Sequence, residues 1–378
     1  MSCRSLLRAY AMLALILPTQ ASAEDVFKIG SSLGLTGYAA VTDRAWRDGL
    51  AIAVEALNAK GGILGRKIEL VIEDNRSEPQ EAVVGYKKMI ANDAVQIFDS
   101  GCVSAGNFAA ASSVVRAQLP MMLCSILPQR PEEQKWAYSF LAPPRFEIEA
   151  RYRYLKEKTQ IRKIGILHDP TPYALLMKDL GVKLAKDFGL EVVATESYKQ
   201  DDADMSVQLG RINGAGGEAV IKMGQGGSTV TVAKNIKQLG LDKLLLLGST
   251  DDGAIFRPAG EVLGERFLFV AAPVQIPNSA EGPTRDAIDT FLKEWQPKYP
   301  DRDPAAGARA WDSMMVTAKA VELAKTFEGP AVRDAVEKVP QYHGAFATFN
   351  FSPEQHVGIT ENPYRMAVVK DGKFVFMP

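Results

Sequence analysis

The chain alternates between short apolar segments and longer amphipathic ones from residue 27 to about residue 272, and this alternation constrains the fold more than any other feature. Residues 27–32 are predicted to form a strand, and residues 43–60 repeat apolar side chains at helical spacing. Gly61 and Gly62 then end the helix, because the left-handed conformation at a helix C-terminus favours glycine. Repetition of such units is typical of a parallel sheet with helices on both faces.

The units occur in two series, which predict two sheets. The first series has strands at residues 27–32, 67–73, 95–99 and 120–124, with helices at 43–60, 79–92 and 107–118. The second has strands at 163–168, 191–197, 219–223, 244–248 and 267–272, with helices at 173–188, 205–213 and 229–239. Further helices are predicted at 284–298, 305–327 and 330–339, and short strands at 347–351, 364–369 and 373–376. Asp371 and Gly372 form a hairpin turn signal between the last two strands.

Size and charge narrow the function classes. A chain of 378 residues is too long for one ordinary core, so we expect two domains. The net charge is −1, and acidic and basic residues are interspersed along the chain. The sequence therefore does not predict the broad positive surface on which nucleic-acid binding depends. We expect no nucleic-acid partner and no adhesion to anionic lipid.

The first residues resemble a secretory signal peptide. Arg4 and Arg8 precede an apolar run at residues 9–17, and Ala21-Ser22-Ala23 has the pattern that signal peptidase cleaves. We expect a signal peptide at residues 1–23, cleavage after Ala23 and a periplasmic mature protein. A membrane anchor is the alternative, but the run is about half of the ~20 residues that a spanning helix needs.

The cysteines leave one question open. Cys3 lies before the apolar run and not at a cleavage site, so we expect no lipid-modified cysteine. The mature chain then contains only Cys102 and Cys124. An oxidising compartment permits a disulfide between them, but the sequence does not decide between a bridge and two thiols.

Histidine metal sites and phosphate-binding motifs typical of enzymes are missing from the sequence. The three histidines, His168, His343 and His356, do not fall at metal-ligand spacing, and there is no His-Glu-x-x-His motif. A phosphate-binding Gly-x-x-x-x-Gly-Lys loop is also missing. We therefore predict a non-enzyme with no catalytic residues, no metal and no cofactor.

Several ordered motifs resemble one known family. The most specific is NAKGGILGRK at residues 58–67, followed by ELVIED at 69–74. Residues 29–37 resemble the family's first binding loop, and IGILHD at 164–169 with Tyr173 resembles the opening strand and loop of its second lobe. Together they resemble the type I periplasmic solute-binding proteins of the leucine/isoleucine/valine-binding group, which serve ATP-driven importers.

The resemblance implies two doubly wound lobes that close on a ligand like a flytrap. Residues 24–144 with 275–358 would form the N-terminal lobe, and residues 145–274 with 359–378 the C-terminal lobe. Three crossings are expected near residues 143–145, 273–277 and 357–360, whose proline and polar content suits linkers. The implied protein is a monomer that delivers a small molecule to the permease of an importer; a ligand-sensing receptor component of the same fold is the alternative.

Ligands of open parallel sheets lie beyond the carboxyl ends of the strands. The candidate ligand-binding residues at those ends, or at the first crossing, are Tyr38, Cys102, Val103, Ser104, Cys124, Ser125, Ile126, Arg145, Tyr173, Gln225, Asp251 and Asp252. The resemblance implies that Ser104 and Ser125 grip a carboxylate and that Tyr173 covers the ligand. Asp251 and Asp252 would face a ligand ammonium, and Arg145 would pair with a carboxylate.

Leu127 departs from the family pattern, because amino-acid binders usually carry threonine near this position. The ligand therefore remains open between an aliphatic amino acid, a small aromatic or aliphatic carboxylic acid, and an amide.

Overall fold

The computed structural model describes residues 26–249 and 251–377. The predicted signal peptide lies outside the described residues. The strands are β1 (Phe27–Leu33), β2 (Ile68–Asp74), β3 (Ile97–Ser100), β4 (Met121–Leu123), β5 (Ala137–Ser139), β6 (Lys163–His168), β7 (Glu191–Ser197), β8 (Ala219–Met223), β9 (Leu244–Leu247), β10 (Phe267–Ala271), β11 (Tyr342–His343), β12 (Thr348–Phe349), β13 (Arg365–Lys370) and β14 (Lys373–Phe376).

The helices cover both faces of two sheets. They are α1 (Ala40–Ala59), α2 (Pro79–Ala91), α3 (Ser104–Arg116), α4 (Pro131–Gln134), α5 (Pro144–Lys158), α6 (Pro172–Ala185), α7 (Ser206–Gly214), α8 (Ser228–Gln238), α9 (Gly253–Leu263), α10 (Gly282–Trp295), α11 (Ala305–Ala324) and α12 (Gly329–Val336). In the part of the chain that the structure describes, none of them is both long enough and apolar enough to span a membrane.

The first sheet has the order β2-β1-β3-β4-β5, and all its neighbouring strands are parallel. Its strands β1, β3 and β4 are buried along nearly their whole length. Such continuous apolar runs are expected where helices cover both faces of a parallel sheet.

The second sheet has the order β14-β13-β10-β9-β8-β6-β7. Strands β6 to β10 are parallel, whereas β13 and β14 form an antiparallel hairpin beside β10. Asp371 and Gly372 have φ of 50° and 69°, so the predicted turn between β13 and β14 is confirmed. The predicted two-sheet α/β fold is likewise confirmed, with this antiparallel edge as an addition to the expected parallel sheet.

Helix α11 returns from the second sheet to pack on the first. The backbones of α1 and α11 approach closely at Gly49 and Gly307: a Cβ atom placed on Gly49 would lie 2.2 Å from the Gly307 carbonyl oxygen. Glycine at this crossing therefore sets the distance between the two helices. The close approach fixes the start of α11, where Arg309 lies.

Candidate functional site

The carboxyl ends of strands from both sheets meet around one narrow cavity with about 400 Å³ of empty space, open solvent included. On the first-sheet side it is lined by Tyr38, Cys102, Ser104, Cys124, Ser125, Leu141 and Arg309, and on the second-sheet side by Thr171, Tyr173 and Gln225. Seven of these are predicted site residues: Tyr38, Cys102, Ser104, Cys124, Ser125, Tyr173 and Gln225. Because parallel strands end at one edge, residues far apart in sequence converge here.

Ser104 and Ser125 occupy different environments. Ser104 is the first residue of α3, and the residue before it, Val103, makes no side-chain hydrogen bond to cap the helix. The positive end of the α3 dipole therefore faces the cavity without a side-chain cap. Ser125 is more constrained: its hydroxyl accepts a hydrogen bond from Asn107 Nδ2 (2.9 Å) and lies 3.1 Å from the Ile126 carbonyl oxygen.

Cys102 and Cys124 form a disulfide bond, with Cα atoms 4.6 Å apart. This resolves the question that the sequence left open. The bond joins the segment after β3 to the segment after β4, and both cysteines line the cavity. Disulfide sulfur is weakly polar, so this wall suits an apolar part of a ligand.

Tyr173 contributes its ring to the cavity and not a free hydroxyl group. The Tyr173 hydroxyl donates to Glu147 Oε2 (3.1 Å), and burial, with the Glu147 charge, raises the pKa of this phenol well above its usual value. Burial also raises the pKa of Tyr38, assisted by the charge of Asp43. Both phenols stay protonated at neutral pH.

Tyr38 also closes the gap between the two sheets. A Cβ atom placed on Gly226, in the loop before α8, would lie 3.0 Å from the Tyr38 carbonyl oxygen and 3.8 Å from Tyr38 Cβ. Gly226 has a φ of 90°, a conformation that side chains disfavour. The loops of the two sheets therefore touch across the cavity.

Five predicted residues do not line this cavity. Arg145 is exposed and its guanidinium lies over the Phe146 ring, 5.0 Å from the centroid. Val103 is fully buried, and Ile126 lines a separate cavity together with Leu127. The absence of a hydroxyl at Leu127 therefore has no direct effect on the cavity between the sheets.

The carboxylates of Asp251 and Asp252 accept hydrogen bonds from other groups of the protein. Asp251 accepts hydrogen bonds from Gly226 N (2.6 Å) and Thr229 Oγ1 (3.2 Å), and burial raises its pKa to about 6. Asp252 caps α9 by accepting from Ala254 N (2.7 Å). Burial and the neighbouring Asp303 raise its pKa to about 7. Neither carboxylate is placed on the cavity wall.

Three further lining residues, Leu141, Thr171 and Arg309, are not among the named candidates, although Thr171 lies in the loop after β6 that leads to Tyr173. Thr171 is the N-cap of α6 and donates to Asp169 Oδ1 (2.5 Å), which leaves its methyl group as an apolar surface. Arg309 is 1% exposed. A lone arginine in the run of small residues 305–310 was the signal that the sequence offered.

The comparisons with known proteins agree with this geometry. A family model described as periplasmic binding protein matches residues 26–373. The leucine-, isoleucine-, valine-, threonine- and alanine-binding protein of Pseudomonas aeruginosa is 24% identical over 324 residues, which cover 83% of this chain and 83% of that protein.

Two solved structures extend the similarity. A periplasmic binding protein type 1 from Bordetella pertussis Tohama I is 26% identical with a TM-score of 0.81, covering 94% of this chain and 100% of that one. An ABC-transporter solute-binding protein from Rhodopseudomonas palustris, solved in complex with benzoate, is 17% identical with a TM-score of 0.78. That match covers 93% of this chain and 95% of the other, and it shows the shared fold.

Proposed function

The chain belongs to the periplasmic binding protein family, and we propose that it captures a small organic molecule between its two lobes and delivers it to the permease of an ABC importer. The observation that carries this proposal is the cavity, whose walls come from loops of both sheets. A ligand there would contact both lobes at once, so it would stabilise the closed arrangement over an open one.

The division into lobes supports the hinge. Strands β1 to β5 and helices α10 to α12 fall within residues 24–144 and 275–358, whereas β6 to β10 and the β13–β14 hairpin fall within residues 145–274 and 359–378. We propose these ranges as the lobes, with the three chain crossings between them as the hinge. Closure would then require small backbone rotations only at those crossings.

Family membership implies a periplasmic location, and we propose that the mature protein is secreted with cleavage after Ala23. We further propose a monomer without cofactor or metal. The cavity residues Tyr38, Cys102, Ser104, Cys124, Ser125, Tyr173 and Gln225 are the proposed ligand contacts. Small amino acids, aromatic or aliphatic carboxylic acids and amides are the ligand classes to test.

A thermal-shift panel on protein that has been unfolded, stripped of ligand and refolded tests the proposal. A true ligand at about 100 times its Kd adds about 2.7 kcal/mol to the free energy of unfolding. Calorimetry should then give one-to-one saturable binding, and the ligand should be recovered chemically unchanged. Turnover of the ligand would contradict the proposal, as would the absence of a shift with every class.

Delivery needs its own test, because a sensory receptor component would bind equally well. The expected result is ligand-dependent stimulation of an importer's ATPase activity in proteoliposomes that contain the permease encoded by a neighbouring gene. Ligand-dependent binding to a receptor, without such stimulation, would favour the sensory alternative.

A further inference from the structure

Arg309 lines the cavity and is only 1% exposed. Two of its buried guanidinium nitrogens have no hydrogen-bond partner. Nε and Nη1 are the two nitrogens concerned, and the guanidinium lies 4.8 Å from the centroid of the Phe346 ring. A buried cation without hydrogen-bond partners is costly, so such a group in a binding cavity implies an external anion.

No acidic group within the described residues satisfies this cation. Within those residues Arg309 forms no ion pair with an N···O distance of 4.0 Å or less. Asp43 interacts electrostatically with Arg309, but both Asp43 oxygens accept hydrogen bonds from backbone N–H groups, of Gly34 (2.7 Å) and Cys102 (2.8 Å). The Tyr364 hydroxyl, which also interacts with the Arg309 charge, is a protonated phenol bonded to Ser249.

The charges on the cavity wall are unequal. Of the ten lining residues, Arg309 is the one with a formal charge, and no lining residue is acidic. An amino acid would bring an ammonium group next to this cation without a carboxylate to receive it. Asp251 and Asp252, the predicted ammonium partners, are bonded to Gly226 and Ala254 instead.

The remainder of the wall is mostly apolar. Tyr38 and Tyr173 contribute rings, Leu141 an alkyl side chain and Cys102–Cys124 a disulfide. The start of α3 adds N–H groups that favour a negative charge, and Ser104 lies at this end. The wall therefore offers one anion subsite beside an apolar surface.

On the premise of the proposed solute-binding function, we infer that Arg309 binds the carboxylate of the ligand, and that the ligand is a small organic monoanion with an apolar body and no ammonium group. A guanidinium N–H donates a charge-assisted hydrogen bond to a carboxylate, and both Nε and Nη1 of Arg309 are unsatisfied donors that a carboxylate could use. The inferred class therefore contains simple aromatic and aliphatic acids and excludes amino acids and amides.

Matched probes test this inference on the refolded protein. The pairs are 4-methylpentanoate with leucine, 3-phenylpropanoate with phenylalanine, and benzoate with benzamide; each partner adds an ammonium group or removes the negative charge. Calorimetry is expected to show binding of at least one acid, with at least tenfold weaker binding of its partner. Tighter binding of an amino acid or amide than of every acid overturns the inference and leaves solute binding intact. No binding by any of the six probes overturns the inference for these apolar bodies and counts against the proposed function as well.

The variant Arg309→Met tests whether Arg309 is the residue that binds the carboxylate of the ligand. It should lose the acid's binding by at least tenfold, and its ligand-free melting temperature should be unchanged or higher, because an uncompensated buried charge is removed. Arg309→Lys keeps the charge but lacks the planar guanidinium donors, and its affinity for the acid is expected to fall between those of wild type and Arg309→Met. Arg285→Met, at an arginine that lies outside the cavity and pairs with Asp289, is the control and should bind the acid like wild type. Unchanged affinity in Arg309→Met overturns the inference; a lowered ligand-free melting temperature with unchanged affinity assigns Arg309 a structural role.

Discussion

Cys102 and Cys124 are bonded to each other at the wall of the cavity, although 22 positions separate them in the sequence. The bond ties the ends of β3 and β4, the two strands that place Ser104 and Ser125. A covalent link at this edge restricts the unfolded chain and holds the two loops together in the folded one.

The first prediction concerns this bond. Replacing both cysteines, Cys102→Ser with Cys124→Ser, should lower the free energy of unfolding by about 3 kcal/mol, the chain-entropy value for a loop of this size. Urea denaturation of the two proteins measures the difference. Wild type treated with a reducing agent is the control and should unfold at the same urea concentration as the variant; equal stability of the variant and oxidised wild type would contradict the prediction.

A second prediction follows from the contact between Tyr38 and Gly226. Gly226→Ala adds a methyl group 3.0 Å from the Tyr38 carbonyl oxygen at a φ of 90°, which costs about 1–3 kcal/mol. The Kd of the tightest ligand in the panel should therefore rise by about tenfold. Gly227→Ala is the matched control, because a Cβ atom there meets nothing within 4 Å; similar Kd values for the two variants would disprove the role of this contact.

The third prediction concerns a buried hydrogen-bonded group beside the second sheet. Ser249 Oγ lies 2.5 Å from Glu147 Oε1 and 2.7 Å from the Tyr364 hydroxyl. These two contacts join α5 to the segment after β9 and the segment before β13. Ser249→Ala leaves a buried carboxylate short of one donor and should cost about 1–3 kcal/mol of stability by urea denaturation. Ser279→Ala, at an exposed serine, should change stability by no more than about 0.5 kcal/mol. A Ser249→Ala effect as small as this control would refute the prediction.

Sequence reasoning located three strands of the second sheet with the correct bounds. The predicted bounds of β6, β7 and β8 match the observed ones. Helix α5 was not predicted, because eight of its fifteen residues are charged and its apolar face is correspondingly weak. Helix α9 was also missed: it contains Pro258, and proline inside a pattern predicts a break.

In the candidate site, residues at strand ends could be predicted from the sequence, whereas residues that reach the cavity through helix packing could not. Tyr38, Ser104 and Tyr173 follow strand ends, so topology alone brought them to the cavity. Arg309 is the fifth residue of α11 and follows no strand end, so only the packing of α11 on α1 at Gly49 and Gly307 carries it to the cavity. Asp251 and Asp252 also follow a strand end but lie off the cavity wall, where their carboxylates accept hydrogen bonds from the backbone N–H groups of Gly226 and Ala254.

A fourth prediction concerns pH and Asp99, a fully buried carboxyl group on β3. It accepts hydrogen bonds from Ser313 Oγ (2.6 Å) and Trp46 Nε1 (3.2 Å), but burial outweighs them and raises its pKa to about 8. The folded state therefore keeps a proton that the unfolded chain releases above about pH 4. The stability contributed by this group is complete at low pH and is lost as the pH rises towards 8, with a slope of the order of 1 kcal/mol per pH unit.

Asp99→Asn removes the titration while keeping a neutral polar group of similar shape. The free energy of unfolding of the variant, relative to wild type, should therefore increase between pH 5 and pH 8, as measured by urea denaturation at each pH. Asp74→Asn is the control: partial burial raises the pKa of Asp74, but hydrogen bonds from Arg76 N and Thr36 lower it below its usual value. A carboxyl group with a lowered pKa stabilises the folded state above the pKa of the unfolded chain, and this stability is lost only as the pH falls towards the folded pKa. Asp74→Asn should therefore leave the change in the free energy of unfolding between pH 5 and pH 8 the same as in wild type. A constant difference between Asp99→Asn and wild type over this interval would show that Asp99 is ionised in the folded protein.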